Sequence, residues 1–264
     1  MAYQRLMVEC DGPLAIVKFN APASMNALDE AMRRELPEAM GRLLDDDGIR
    51  AILLTGEGRA FCAGANLKNM YAEQSDGDTP DVGSSLRNGI NPMLVRMAEA
   101  NKPIIAAVNG AAVGVGCGLA LSADIVLVGR SGYFFQSFIR LGVVPDGGSS
   151  WVIPRLIGRT RAAAMTMLGE KIDAETAVAW GLAYRMYEDS ALMPAARAMA
   201  SKLAHGPTVA YGKIKHLLRA SLQNGLVDQI ELEAAHQQTA FATEDCREGI
   251  AAFVEKREAA FKGR

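Results

Sequence analysis

Between Pro103 and Gly118 the chain reads PIIAAVNGAAVGVGCG, an apolar run that breaks into four glycines within nine residues. Small residues at this density mark a place where backbone meets something closely, because glycine alone combines close approach with left-handed dihedrals. The stretch therefore predicts a buried strand, a tight turn and then a helix started by Leu119-Ala120-Leu121-Ser122, whose free N–H groups would face a ligand. The expectation is a site built from backbone amides. The apolar run continues to Val128, long enough by count to span a membrane. Asn109, the glycines, Ser122 and Asp124 interrupt it, which favours a buried strand and helix.

A chain of 264 residues can bury a large core. Its 28 basic and 30 acidic residues balance, so nothing marks a nucleic-acid binder. Met1 to Leu6 lacks the apolar core of a signal peptide, which makes a cytoplasmic location the expectation. Cys10, Cys62, Cys117 and Cys246 have neither metal-ligand nor redox spacing, so free thiols and no metal site are expected.

Strands are predicted at 14–19, 51–55, from 103 into the glycine turn, 124–128 and 132–135, alternating with helices at 28–44, 91–100 and from about 149. This order indicates α/β architecture. Two glycine-rich loops, 56–66 and 110–118, each follow a strand. The segment from Leu67 to about Arg87 is polar and turn-rich and reads as a surface segment, either a lid over a site or plain disorder. Beyond about residue 190 four successive helices are expected, at 190–205, 208–223, 227–243 and 245–262, with no strand between them. The domain division expected is a core over 1–195 and a helical region over 196–264.

Five motifs carry a family likeness. NAL at 26–28, GRAFCAGANL at 58–67, the Pro103–Gly118 stretch with Ala123 and Asp124 behind it, GVVPDGG at 142–148 and EGIAAFVEKR at 248–257 together resemble the crotonase superfamily of enoyl-CoA hydratases and isomerases in order and spacing. The resemblance runs nearly end to end. It implies a spiral of ββα units, a helical C-terminal region used to form a homotrimer or a dimer of trimers, and an acyl-CoA thioester substrate. CoA then belongs to the substrate; no separate cofactor, nucleic acid or membrane partner is implied.

By that resemblance the backbone N–H groups of Ala63 and Val115 form an oxyanion hole for the thioester oxygen, helped by the dipole of a helix beginning near Gly114. The backbone from Ala63 through Gly64, Ala65 and Asn66 to Leu67 would lie along CoA, with Ala23, Ser24 and Asn26 on the other side. Lys68, Phe253 and Lys256 would reach its nucleotide end. Asn66 departs from the family's aspartate. Gly118 and Phe138 stand where hydratases place their two glutamates, so two-glutamate hydration loses its acid and base.

Asp146 falls where the 3-enoyl-CoA isomerases and ring-epoxide phenylacetyl-CoA isomerases resemble each other in placing one catalytic carboxylate. The expected function is accordingly a double-bond shift through a thioester enolate, with Asp146 as acid and base. Phe138 would be an apolar wall that raises the basicity of Asp146. A helix cap or Asx-turn is the structural role open to Asp146. The 68–90 segment and the side chains of Phe135, Phe138 and Trp151 are the expected shapers of the acyl pocket. Alternatives are a hydratase of the same family, a crotonase-fold protein that binds acyl-CoA or RNA without catalysis, and a nucleotide-dependent dehydrogenase. The last would use the glycines of 110–116 and the Tyr211–Lys215 pair, though both lie far from where that fold requires them.

Overall fold

The four longest apolar strands have few polar positions because both of their faces are covered. A computed structural model describes residues 3–66 and 81–264. Strands β1 (Leu6–Asp11), β2 (Leu14–Phe19), β3 (Ala51–Gly56), β5 (Ile104–Val108), β7 (Ile125–Gly129) and β10 (Arg185–Tyr187) form one sheet in the order β1-β2-β3-β5-β7-β10. Only the β1–β2 pair is antiparallel. Three-residue strands β4 (Ala60–Cys62), β6 (Ala111–Val113), β8 (Tyr133–Phe135) and β9 (Lys171–Asp173) form a second sheet in the order β4-β6-β8-β9.

Consecutive strand pairs thus divide between the sheets: β3 and β4, β5 and β6, β7 and β8 each send the first strand to the large sheet and the second to the small one. Helices follow each pair and complete a turn of a spiral. They are α2 (Val82–Asn88) and α3 (Ile90–Glu99) after the first, α4 (Val115–Leu121) after the second, and α5 (Ser149–Ala164), broken at Gly158, after the third, with α6 (Ala174–Trp180) following β9. Helix α1 (Glu30–Asp45) precedes them, started by the Asp29 side chain accepting from Met32 N at 2.9 Å. This spiral of ββα units and helices is the α/β fold expected.

Alternation along the strands builds two cores. Ile104, Ala106 and Val108 point into the interior shared with the helices and the small sheet, whereas Ile105 and Ala107 point to the opposite face. That second face is covered by α7 (Asp189–Ala204), which presents Leu192, Ala196, Ala200 and Ala204 at steps of four. The stripe lies along one helix face, and its alanines let the helix sit close to the sheet.

Four helices close the chain as expected: α7, α8 (Thr208–Ala220), α9 (Leu226–Phe241) and α10 (Glu244–Glu255). The division expected at residue 195 falls inside α7, which packs on the large sheet and so belongs with the core. Lys215 of α8 joins the last helices to that core through Asp124 (2.8 Å) and the carbonyls of Met97 and Lys102. Lys215 therefore has a structural partner, and the Tyr211–Lys215 spacing is no dehydrogenase motif. Nor do the glycines of 110–116 cradle a phosphate. A Cβ on Gly110 would stand 2.1 Å from the Arg59 carbonyl and one on Gly116 2.2 Å from that of Cys62, so chain packs on chain there. Among the described residues no helix is long and apolar enough to cross a membrane, and no cluster of three or more metal-ligating side chains forms.

Candidate active site

Helix α4 runs from Val115 to Leu121, starting next to Gly114 as the resemblance implied and four residues before the Leu119 start read from the apolar run. Its N-cap, Gly114, has φ 54°, and the Gly114 N–H donates to the Phe135 carbonyl at 2.8 Å. The N–H of Val115, at the first helical position, has no intrahelical acceptor by construction.

The first loop comes alongside at Gly64. With φ 84° and a would-be Cβ 2.7 Å from the Val113 carbonyl and 3.7 Å from Val115 N, this position admits glycine because two backbones touch. The Gly64 carbonyl accepts from Leu28 N at 2.7 Å, and Leu28 and Ala65 form a parallel bridge. The structure corrects the donor expected in this loop. Ala63 N–H donates to the Met25 carbonyl at 2.9 Å and is engaged within the fold. Ala65, two residues on, is exposed, lines the same cavity as Val115, and its N–H makes no hydrogen bond among the described residues.

That cavity, of ≈ 430 Å³, runs between α1 and α2. Leu28, Leu36, Leu86 and Ile90 give it apolar walls, Arg33 and Arg34 lie along the α1 side, and Ala65, Val115 and Asp146 also line it, with Gly64 and Gly147, their chain neighbours, both against Val115. The α1 residues of this wall escaped the sequence reading, because Leu36 carries the helical period of a core position. Residues 82–90 belong to the 68–90 segment expected to shape the pocket, and the Asp81 side chain starts a helix there by accepting from Ser84 N at 2.8 Å.

Asp146 is the chemically unusual group in this cavity. Its Oδ1 is buried without a hydrogen-bond partner among the described residues. Burial pushes the carboxyl up from an ordinary 3.8 to about 6. A capping or Asx role is excluded: α5 has Gly148 as its N-cap with no side-chain cap, and only the Asp146 backbone carbonyl is engaged, by Ser149 N at 3.0 Å. Asp146 is held by the left-handed Gly147 and Gly148 that follow it (φ 58° and 75°). A Cβ at Gly147 would lie 2.8 Å from Val115 Cγ2, which places this turn against the start of α4.

Other expected site residues fall elsewhere. Asn26 is fully buried at φ 58°, and its amide ties two loops: Oδ1 accepts from Ala21 N at 2.8 Å, and Nδ2 donates to the carbonyls of Glu57 (3.0 Å) and Ala60 (2.8 Å). It cannot also contact a substrate. Asn26→Ala is expected to lower stability by about 2–4 kcal/mol in urea melts, because two or three buried groups lose partners; an unchanged midpoint would show that the loops hold without it.

Ala23 and Ser24 lie exposed in a 3₁₀ turn, Pro22–Ser24, outside the cavity lining. Phe138 packs near Gly114, its Cζ 3.6 Å from the would-be Cβ, and neither it, Phe135 nor Trp151 lines the cavity. Trp151 instead lies beneath the Arg155 guanidinium, 4.2 Å from ring centroid to Cζ. Phe253 is 86% exposed and Lys256 is exposed at the end of α10, and neither is part of the cavity wall within one chain. Asn66 adjoins the cavity-lining Ala65, and Leu67, Lys68 and most of the expected lid lie outside the described residues.

Comparison with known proteins adds a second line of observation. The enoyl-CoA hydratase/isomerase family profile matches residues 9–264. The chain is 40% identical over 245 residues to a 1,2-epoxyphenylacetyl-CoA isomerase of Escherichia coli strain K12, covering 93% of each chain. It is 41% identical over 264 residues to a probable enoyl-CoA hydratase of Rhodobacter capsulatus, covering 100% of each. Among solved structures, an enoyl-CoA hydratase/isomerase from Cupriavidus metallidurans CH34 superposes with a TM-score of 0.90 at 32% identity, over 100% of this chain and 98% of that one.

Proposed function

Since the chain belongs to the enoyl-CoA hydratase/isomerase family, we propose that it is an acyl-CoA isomerase using Asp146 as its single acid and base. One observation carries the reading: a half-buried carboxylate whose Oδ1 has no hydrogen-bond partner among the described residues lines the same cavity as Ala65 and Val115. The likeness to a protein named as an epoxyphenylacetyl-CoA isomerase supports it, while the likeness to hydratases keeps the alternative reaction in the test.

On a 3-enoyl-CoA ester the Asp146 carboxylate removes a proton from C2. The electron pair moves onto the thioester oxygen, where the N–H groups of Ala65 and Val115 stabilise the dienolate. The protonated Asp146 returns its proton at C4, and the double bond comes to rest between C2 and C3. One proton and one electron pair move, so no redox cofactor is required. A group titrating near 6 is suited to both halves, since it is ionised at neutral pH and its conjugate acid remains a competent donor.

Hydration needs two groups in this family's usual scheme, and Gly118 and Phe138 offer neither. Incubation with 3-enoyl-CoA and 2-enoyl-CoA esters in deuterated water tests the reading. The expected result is interconversion of the two with deuterium entering at C2 and C4, and little 3-hydroxyacyl-CoA. Hydration without double-bond migration would overturn it in favour of a hydratase, and no turnover of either ester in favour of a binding protein. The pH dependence is a separate expectation: kcat/KM for the 3-enoyl ester should rise through an apparent pKa of about 6 and level off above it, as the base ionises.

A further inference from the structure

Beneath the turn that carries Asp146 lies a buried polar side chain that the proposed reaction does not use. Gln136 follows β8 directly and is 0% exposed. Its Nε2 donates to Ser149 Oγ at 3.2 Å, and Ser149 is likewise 0% exposed. Gln136 Oε1 has no partner among the described residues. The same amide lies beside Cys117 of α4, whose thiol burial pushes up to about 12, and its polarity partly opposes that rise. One side chain therefore joins the end of β8, the middle of α4 and the start of α5.

Such an arrangement is a poor stabiliser. A buried amide with half of its capacity unmet forfeits desolvation energy comparable to what one hydrogen bond returns. Its geometry has a different consequence. Ser149 N–H donates to the Asp146 carbonyl, and the two residues between them are Gly147 and Gly148, which have no side chains to hold the turn. Ser149 Oγ is thus the first side-chain anchor after Asp146, and Gln136 holds it.

We propose that Gln136 is a positioning residue: acting through Ser149, it fixes the Asp146–Ser149 turn so that the carboxylate stays aligned with the Ala65 and Val115 amides. The inference rests on Asp146 being the base. It separates activity from stability, because an apolar side chain of similar length removes the unmet amide while releasing Ser149.

Gln136→Met and Ser149→Ala should each lower kcat on a 3-enoyl-CoA ester roughly 10- to 100-fold. KM should stay within about twofold and the midpoint of the pH–rate profile should move, since the ground-state contacts of the thioester are untouched while the base is not. The melting temperature of Gln136→Met should not fall, and the double variant should be no worse than the poorer single, as expected of residues acting in series. Wild-type kcat and pH profile in Gln136→Met would overturn the inference, as would a melting temperature that falls in step with activity. Asp146→Asn assayed alongside separates the two levels. If it is inactive while Gln136→Met is unaffected, the positioning role alone fails; if it retains full turnover, the base assignment fails and the positioning role falls with it.

Discussion

Asp146→Asn is expected to lower turnover of a 3-enoyl-CoA ester by roughly 10²- to 10⁴-fold, the usual contribution of a positioned acid or base, while acyl-CoA affinity changes little. Binding should survive because in the proposed reaction the thioester oxygen is held by the amides of Ala65 and Val115, and the apolar walls of the cavity are untouched. The same substitution is expected to stabilise the fold at neutral pH. The folded chain holds the Asp146 proton more tightly than the unfolded chain, with a pKa of about 6 against 3.8. Below about 3.8 the carboxyl is neutral in both states and costs nothing; as pH rises through 6 the folded state must carry a desolvated charge. Stability of the wild type should therefore fall between about pH 4 and 6 relative to the asparagine variant. Allowing for partial exposure, the difference above pH 7 is on the order of 1–2 kcal/mol. Calorimetric melts of both proteins at pH 4 and pH 8 measure it. A wild type as stable as the variant at pH 8 would mean the carboxylate is solvated, and full turnover by the variant would remove it from the chemistry.

Gly118 carries the second large expectation. A hydratase of this family would place a glutamate there, so restoring one is the obvious route to hydration. The backbone forbids it. A Cβ at this position would stand 2.4 Å from the Gly147 carbonyl and 2.8 Å from Ser149 Oγ, both parts of the turn that holds Asp146. Even Gly118→Ala should cost about 3 kcal/mol in a urea melt and reduce kcat, since the turn must move before the methyl group fits. Gly118→Glu with Phe138→Glu is expected to yield a destabilised protein that does not hydrate crotonyl-CoA. A stable double variant with hydratase turnover would show that the turn yields at little cost. The absent glutamate and the present aspartate are in this sense one feature: the space for the first is filled by the loop that supplies the second.

Much of the architecture was legible in the sequence because burial on two faces leaves long apolar strands, and the regular spacing of Leu192, Ala196, Ala200 and Ala204 leaves a helical trace. Strands β4, β6 and β9 were not legible. Each has three residues, too few for a period to show, and β4 and β6 sit inside glycine-rich loops. That Asp146 and Val115 lie in one neighbourhood was legible because local turn chemistry and a resemblance both point there. That the Ala63 N–H is engaged within the fold was not legible, because the pairing of Leu28 with Ala65 and of Ala63 with Met25 is decided between distant segments. Asn26 misled for a related reason: a polar residue in a loop looks available, and only the fold reveals that all its hydrogen-bonding capacity faces inward. Gln136 left no trace, since one glutamine after an apolar strand looks like any strand end.

The division of each strand pair between two sheets has a further consequence, for the order in which the molecule becomes functional. Ala65, Val115 and Asp146 come from three successive turns of the spiral, and each turn is joined to the next by parallel pairing, which requires a long crossover. No local hairpin or single unit contains two of the three groups. A chain with two turns docked has much of its secondary structure and an apolar cleft, yet the carboxylate is still unplaced. On the proposed reaction, catalysis is therefore a property of the completed spiral alone, and partly assembled chains are silent however much native structure they hold.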